Sequence, residues 1–198
     1  MTDKPYSQAC ENNKQPILDK IQPLLKSCTS VLEIGSGTGQ HAVFFAGQMP
    51  HLRWQCCDQR PYLDGIEAWR QDSGLNNLPP AVEFEVMSSP WPAGHFDAVY
   101  SANTLHIMGW PQVETLFRRL GESTSPGTLL MVYGPFNIGG QFTSPSNAEF
   151  DQMLRQRDPA SGIRDLEAVN AEAAAAGFVH QHDYALPANN RLQVWRKQ

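Results

Sequence analysis

Val31-Leu32-Glu33-Ile34-Gly35-Ser36-Gly37-Thr38-Gly39-Gln40-His41 is an apolar run that passes directly into glycine at every second position and then into a helix-like segment. Glycine has no Cβ, so three of them at i, i+2 and i+4 let the chain turn sharply at a strand end and let a ligand come close to the main chain. The following helix directs its free N–H groups, and the positive end of its dipole, toward the same spot. A dinucleotide fingerprint, Gly-x-Gly-x-x-Gly, needs glycine at position 40, where this chain has Gln40. The stretch therefore predicts a strand-turn-helix that holds a nucleoside-type cofactor rather than a dinucleotide.

Working outward, a second apolar run, Leu52-Arg53-Trp54-Gln55-Cys56-Cys57-Asp58, ends in an acid nineteen residues beyond Gly39. Doubly wound folds place a ribose-binding carboxylate at about this separation. The alternative is that Asp58 caps the helix opening at Pro61. Strands near 30–35, 53–58, 82–86, 96–101 and 128–133 alternate with helices near 40–48, 61–72 and 111–121, which predicts a parallel sheet covered on both faces. Upstream, Ile17, Leu18, Ile21, Leu24 and Leu25 follow a helical period between Asn12 and Lys26, although Pro16 and Pro23 restrict where helix can run. Downstream, Ser144-Pro145 opens a helix by cap and proline, and a helix from Asp165 to Ala176 stops at Gly177. Two final strands, near 178–186 and 191–196, read as an antiparallel pair.

The run Glu33 to Gly39 closely resembles the first motif of the class I S-adenosylmethionine-dependent methyltransferases. Three further stretches match that family in order. They are the strand ending at Asp58, the run Glu85-Val86-Met87-Ser88-Ser89-Pro90-Trp91, and the run Phe96-Asp97-Ala98-Val99-Tyr100-Ser101-Ala102-Asn103-Thr104-Leu105-His106. The resemblance implies that Glu33, Gly35, Ser36, Gly37 and Gly39 wrap the methionine part of S-adenosyl-L-methionine, with Asp58 on the ribose. It implies that Glu85, where the family pattern has Asp, and the Val86 N–H meet the adenine, and that Ala102 and Asn103 face the cofactor. His41 stands beside the loop, where it either touches the methionyl end or packs in the first helical turn; Glu85 is otherwise a surface residue at a strand end. The implied fold is α/β, a Rossmann-like doubly wound seven-stranded sheet, mostly parallel with a reversed final strand. The remainder of the chain is similar to a small methyltransferase-like subfamily of about 200 residues. The matching blocks include Glu11-Asn12-Asn13-Lys14, Tyr133-Gly134-Pro135-Phe136, Asp158-Pro159 and Pro187-Ala188-Asn189-Asn190. We expect one domain over 1–198, with an N-terminal helical segment at 1–29 and a substrate-side insert at 134–176.

Methyl transfer from a sulfonium is an in-line displacement, so the protein must align a nucleophile and, where the nucleophile is protonated, remove its proton. His106, at the carboxyl end of the fourth strand, is the first candidate base, against a packing role at a helix start. Tyr133 and Asp151 are weaker candidates, and an Asp at this spacing is more often just the partner of Arg155 one helical turn on, in a solvated pair. The expected function is methyl transfer to a small molecule. A protein methyltransferase and a non-catalytic S-adenosylmethionine-binding module are the alternatives. A short-chain dehydrogenase is excluded, because neither Tyr100 nor Tyr133 is followed four residues later by Lys.

The formal net charge of −5 and the dispersed basic residues disfavour a nucleic-acid partner. No His/Asp/Glu cluster has ligand spacing, so no metal is expected. Cys10, Cys28, Cys56 and Cys57 lack C-x-x-C spacing, and adjacent Cys56 and Cys57 point to opposite faces of a strand, which suits reduced thiols in the cytoplasm. No apolar segment is long enough for a membrane span. Nothing in the pattern assigns an oligomeric state.

Overall fold

The structure is a computed structural model and describes residues 4–198. Its elements run α1 (Gln8–Leu24), β1 (Ser30–Ile34), α2 (Gln40–Gln48), β2 (Arg53–Asp58), α3 (Arg60–Ser73), β3 (Val82–Glu83), β4 (Ala98–Ala102), α4 (Trp110–Ser123), β5 (Leu129–Gly134), β6 (Phe136–Asn137), α5 (Pro145–Arg157), β7 (Arg164–Asp165), α6 (Leu166–Ala175), β8 (Phe178–Leu186) and β9 (Asn190–Lys197). Seven strands form one sheet in the order β3-β2-β1-β4-β5-β9-β8. The final strand is the reversed one, antiparallel to both β5 and β8. Among the described residues, no helix is long and apolar enough to cross a membrane.

The chain divides into two compact units, Met1–Ser101 and Ala102–Gln198. In the first, β1 pairs in parallel with β2 from Ser30↔Arg53 to Ile34↔Cys57, and with β4 from Val31↔Ala98 to Glu33↔Tyr100. Every residue of β1 is buried, as expected for a strand flanked on both sides. Phe45, Trp54 and Tyr100 pack with ring centroids 5.5–5.7 Å apart, Phe45 edge-on to Tyr100, an arrangement that adds to the burial of three large side chains. Asp97 fixes the start of β1 by accepting the Thr29 N–H at 2.6 Å and the Ser30 N–H at 3.1 Å.

α1 differs from the sequence expectation, because it passes through Pro16 and Pro23 without a break. Its apolar face, Ile17, Leu18 and Ile21, is buried to 3 % exposure or less, and packing of that face offsets the backbone bonds that two prolines remove. β3 is also shorter than expected. It keeps only the rungs Cys57↔Val82 and Asp58↔Glu83, because residues from Glu85 turn back on themselves through the Ser88 and Ser89 N–H bonds to the Glu85 carbonyl.

In the second unit, α4 buries Val113, Leu116, Phe117 and Leu120, one stripe at helical spacing. Ser144 caps α5 by accepting the Asn147 N–H at 3.1 Å. α6 ends before Gly177, whose φ of 81° is the left-handed conformation that glycine adopts readily. Trp195 on β9 is fully buried and donates to Asn170 on α6 at 2.9 Å. The short parallel pair β6·β7, joining Phe136 to Arg164 and Asn137 to Asp165, was not legible in the sequence, since two-residue strands carry no periodic signal.

Candidate functional site

In the first unit the carboxyl ends of β1, β2 and β3 present the glycine turn, Asp58 and Glu85. Gly35, Gly37 and Gly39 all have positive φ, 75°, 57° and 87°, a region costly to any residue with a Cβ. A Cβ on Gly39 would lie 3.0 Å from the Ile66 Cα of α3, whereas one on Gly37 would meet nothing within 4 Å. Gly39 is therefore required by packing as well as conformation, and Gly37 leaves open space above the turn.

The amides of this turn face inward. Gly35 and Ser36 donate to the Cys57 carbonyl at 3.0 and 3.3 Å, Gly39 donates to the Ser36 carbonyl at 2.9 Å, and Gly37 donates to Asp58 Oδ2 at 2.7 Å. Four of the turn's five amides are thus satisfied by the protein, which leaves free N–H groups to the helix that follows, whose N-terminus has no side-chain cap. Asp58 Oδ1 accepts the Gln59 N–H at 2.7 Å, and α3 has no side-chain cap at its N-terminus. The capping alternative for Asp58 is not what the structure shows. Burial pushes the Asp58 carboxyl upward, opposed by the Gly37 and Gln59 N–H bonds.

Glu85 lies in the turn after β3, where Oε2 accepts from Gln59 Nε2 at 2.5 Å, and Val86 beside it is buried. Gln59 thus ties Glu85 to the residue next to Asp58, a link the sequence reading missed. Position offered no signal for it, because a lone Gln after a strand is ordinary.

Glu33 and His41 are turned into the interior. Glu33 is 2 % exposed and accepts from Trp54 Nε1 at 2.8 Å, with the Cys56 thiol 3.8 Å away. Burial, more than any neighbour, raises its carboxyl to about 7. His41 sets Nε2 2.6 Å from Asn13 Oδ1 and Nδ1 3.4 Å from the Tyr100 hydroxyl, and burial lowers it to about 4. Glu33 is expected to wrap the cofactor, and His41 either to touch its methionyl end or to pack in the first helical turn. Their side chains hold β1, α2 and α1 together, which leaves only their backbone at the turn. Ser36 is likewise buried, its hydroxyl toward the Glu33 carbonyl at 3.4 Å.

In the second unit, Ala102 ends β4 and Asn103 follows with φ 55°, its N–H bonded to the Tyr133 carbonyl at 2.8 Å. A non-glycine residue in the left-handed region is uncommon, and Asn is among the residues that tolerate it. His106 is 5 % exposed, sets its ring edge-to-face on Phe150 with centroids 5.3 Å apart, and lies with Asn103 beside Gly134. Burial, helped by the Arg164 charge, lowers it to about 4, so the imidazole is neutral at physiological pH. Tyr133 is 2 % exposed within β5.

Asp151 makes the expected pair with Arg155, at 2.7 Å. It is 6 % exposed and accepts the Ile163 N–H at 2.7 Å. The carboxylate fastens the 158–165 segment to α5, and both of its oxygens are engaged. Arg164 in that segment donates to the carbonyls of Leu105 at 3.1 Å and Ala160 at 2.9 Å, and to that of Met108.

The seven-stranded order with a reversed last strand, and a glycine turn answered by acids after the next two strands, define the class I methyltransferase fold. Within it, the chain belongs to the family described as Protein of unknown function (DUF938), whose model matches residues 4–197. Among solved structures it is similar to an O-methyltransferase family protein from Burkholderia thailandensis, with TM-score 0.84 and 14 % identity over 96 % of this chain and 57 % of that one. It is also similar to the S-adenosylmethionine-dependent methyltransferase SibL in its apo form, with TM-score 0.80 and 23 % identity over 96 % and 55 %. A third is human N-acetylserotonin methyltransferase in complex with S-adenosylmethionine, with TM-score 0.80 and 17 % identity over 96 % and 53 %. The chain spans little more than half the length of these proteins, and at such identities the likeness is one of fold.

Proposed function

We propose that the chain works as one S-adenosylmethionine-dependent methyltransferase domain whose acceptor is a small molecule. One observation carries the cofactor reading: the glycine turn has spent its amides on Cys57, Ser36 and Asp58, and the groups after β2 and β3 are carboxylates. With four of the turn's five amides already satisfied and two carboxylates nearby, the site is ill suited to a pyrophosphate. It suits a ligand that brings its own hydroxyl and amino donors, as a ribose and an adenine do. The bound S-adenosylmethionine in the similar human enzyme supports the same reading.

When bound, S-adenosylmethionine supplies an electrophilic methyl group on a sulfonium. The chain's own part is positioning. Asp58 accepts from ribose hydroxyls with the lone pairs that Gly37 and Gln59 leave free, Glu85 and the Val86 N–H take the adenine edge, and the left-handed glycines allow close approach of the methionyl end. Ala102 and Asn103 face the cofactor in this reading. His106, kept neutral by burial, accepts the acceptor's proton at a ring nitrogen as the new bond forms; Tyr133 bears on the same end of the sheet through the Asn103 N–H. The segments after β4 and β5 are too short for a separate recognition domain, which favours a small acceptor over a protein. Calorimetric titration with S-adenosylmethionine, S-adenosylhomocysteine and NADH tests the proposal. Saturable binding of the first two alone supports it, and a folded protein that binds neither overturns it.

A further inference from the structure

Gln40, the residue that stands where a dinucleotide fold has its third glycine, is 3 % exposed, and its amide is shared among three chain segments. Its Oε1 accepts the Ser7 N–H at 2.6 Å and the Thr38 hydroxyl at 3.1 Å, while its Nε2 donates to Glu11 Oε1 at 2.8 Å. Glu11 is in turn paired with Lys14, which lies 5.0 Å from the Phe44 ring centroid. Asn13 meets His41. The chain before Ser7 is tied down as well: Trp69 donates to the Pro5 carbonyl at 2.7 Å, Lys4 pairs with Asp72 and lies over the Trp69 ring, and Pro5 occupies the space where a Cβ on Gly65 would come within 2.6 Å. Residues 4–14 therefore form a strap across the glycine turn, fixed at one end to α3 and in the middle to Gln40.

The two halves of α1 are held by different forces. Beyond Pro16 the helix is anchored by the buried Ile17, Leu18 and Ile21; before it, no residue of the helix is buried and the attachments are polar. Pro16 has no N–H to return to the Asn12 carbonyl, so the helix is weakest at the boundary between those halves. A segment with few buried apolar contacts, polar ties that water can replace, and a weak backbone joint at its root has the properties of a locally opening unit.

We propose that residues 4–14 swing open about Pro16 as one piece, and that Gln40 is the latch that sets how long a ligand stays at the glycine turn. The ligand part rests on the reading that this turn holds S-adenosylmethionine. Gln40 is a positioning residue here, acting through Ser7 and Glu11.

The test combines hydrogen exchange of the full chain with stopped-flow binding of S-adenosylmethionine. In the wild type without ligand, amides 8–15 should exchange together and faster than those of 17–24, and ligand should slow the first group. Gln40→Glu keeps the acceptor for Ser7 but sets a second carboxylate against Glu11, so ligand dissociation should rise about tenfold, as expected for loss of a charged hydrogen bond. Adding Glu11→Gln restores one donor between the two positions and should return the rate most of the way. Pro16→Ala should slow association and dissociation together with little change in affinity. Equal exchange on both sides of Pro16, or unchanged dissociation in Gln40→Glu with normal folding, overturns the inference. A wild type that binds no S-adenosylmethionine overturns the proposed function and the ligand half of the inference, while the exchange pattern without ligand still decides whether the strap opens.

Discussion

The Asp58 carboxylate holds the Gly37 N–H at 2.7 Å, so the acid at the end of β2 and the turn at the end of β1 are a single rigid piece. Removing the carboxylate takes away a charged acceptor for ligand hydroxyls and also frees the turn. Asp58→Ala should weaken S-adenosylmethionine binding by roughly ten- to a hundredfold, read by calorimetry. Undiminished affinity would show that the ribose is held elsewhere.

Gly37 and Gly39 separate conformation from space. Both have positive φ, so alanine at either costs roughly 1–2 kcal/mol of backbone strain. Gly39→Ala must in addition push the Ile66 backbone of α3, which Gly37→Ala does not. Urea denaturation should find Gly39→Ala the less stable of the two, while Gly37→Ala, projecting into the open space over the turn, should lose ligand affinity with the smaller loss of stability.

Glu33 gives a pH signature. Its folded value of about 7 lies above the unfolded one, so the native state binds more protons and the contribution of Glu33 to stability falls as pH rises from about 4.5 through 7. The span corresponds to roughly 3 kcal/mol. His41 and His106, both lowered to about 4, act in the opposite sense, with stability rising from pH 4 through about 6.5 and levelling off only about a unit above that. Glu33→Gln keeps an acceptor for Trp54 and should remove the Glu33 contribution, so that the wild-type profile minus the variant profile, in which the histidine contributions cancel, declines between about pH 4.5 and 7. Denaturation profiles of the variant and wild type that run parallel there would refute the assignment.

His106→Ala should lower the methyl-transfer rate by roughly a hundred- to ten-thousandfold while leaving cofactor affinity within a few fold, as for loss of a general base. Labelled-methyl transfer with an active acceptor reads the rate. The wild-type rate should not depend on His106 ionisation above about pH 5, because the imidazole is already neutral.

Asp151 is expected to matter for stability rather than chemistry. Asp151→Ala leaves the buried Ile163 N–H without an acceptor and unpairs Arg155, at roughly 2 kcal/mol. Asp151→Asn keeps an acceptor and should cost less. An Asp151→Asn protein that is as stable as wild type but a hundredfold slower would return the carboxylate to the list of bases.

The sequence alone determined the alternation of strands and helices, the glycine turn, the acids after β2 and β3, and the antiparallel closing pair. These depend on local rules: period, chain-breaking residues and glycine conformation act within a few residues, and α2 falls at 40–48 as its pattern requires. Tertiary structure alone decided where polar side chains spend their hydrogen bonds. Glu33 and His41 sit at motif positions yet turn inward, because Trp54, Asn13 and Tyr100 arrive from elsewhere in the chain to meet them. Asp151 finds the Ile163 N–H twelve residues away, and Gln40, legible only as a missing glycine, becomes the tie between Ser7 and Glu11. A hydrogen-bond partner supplied by a distant segment leaves no period in the sequence, whereas its burial fixes both the orientation and the charge state of the group it meets.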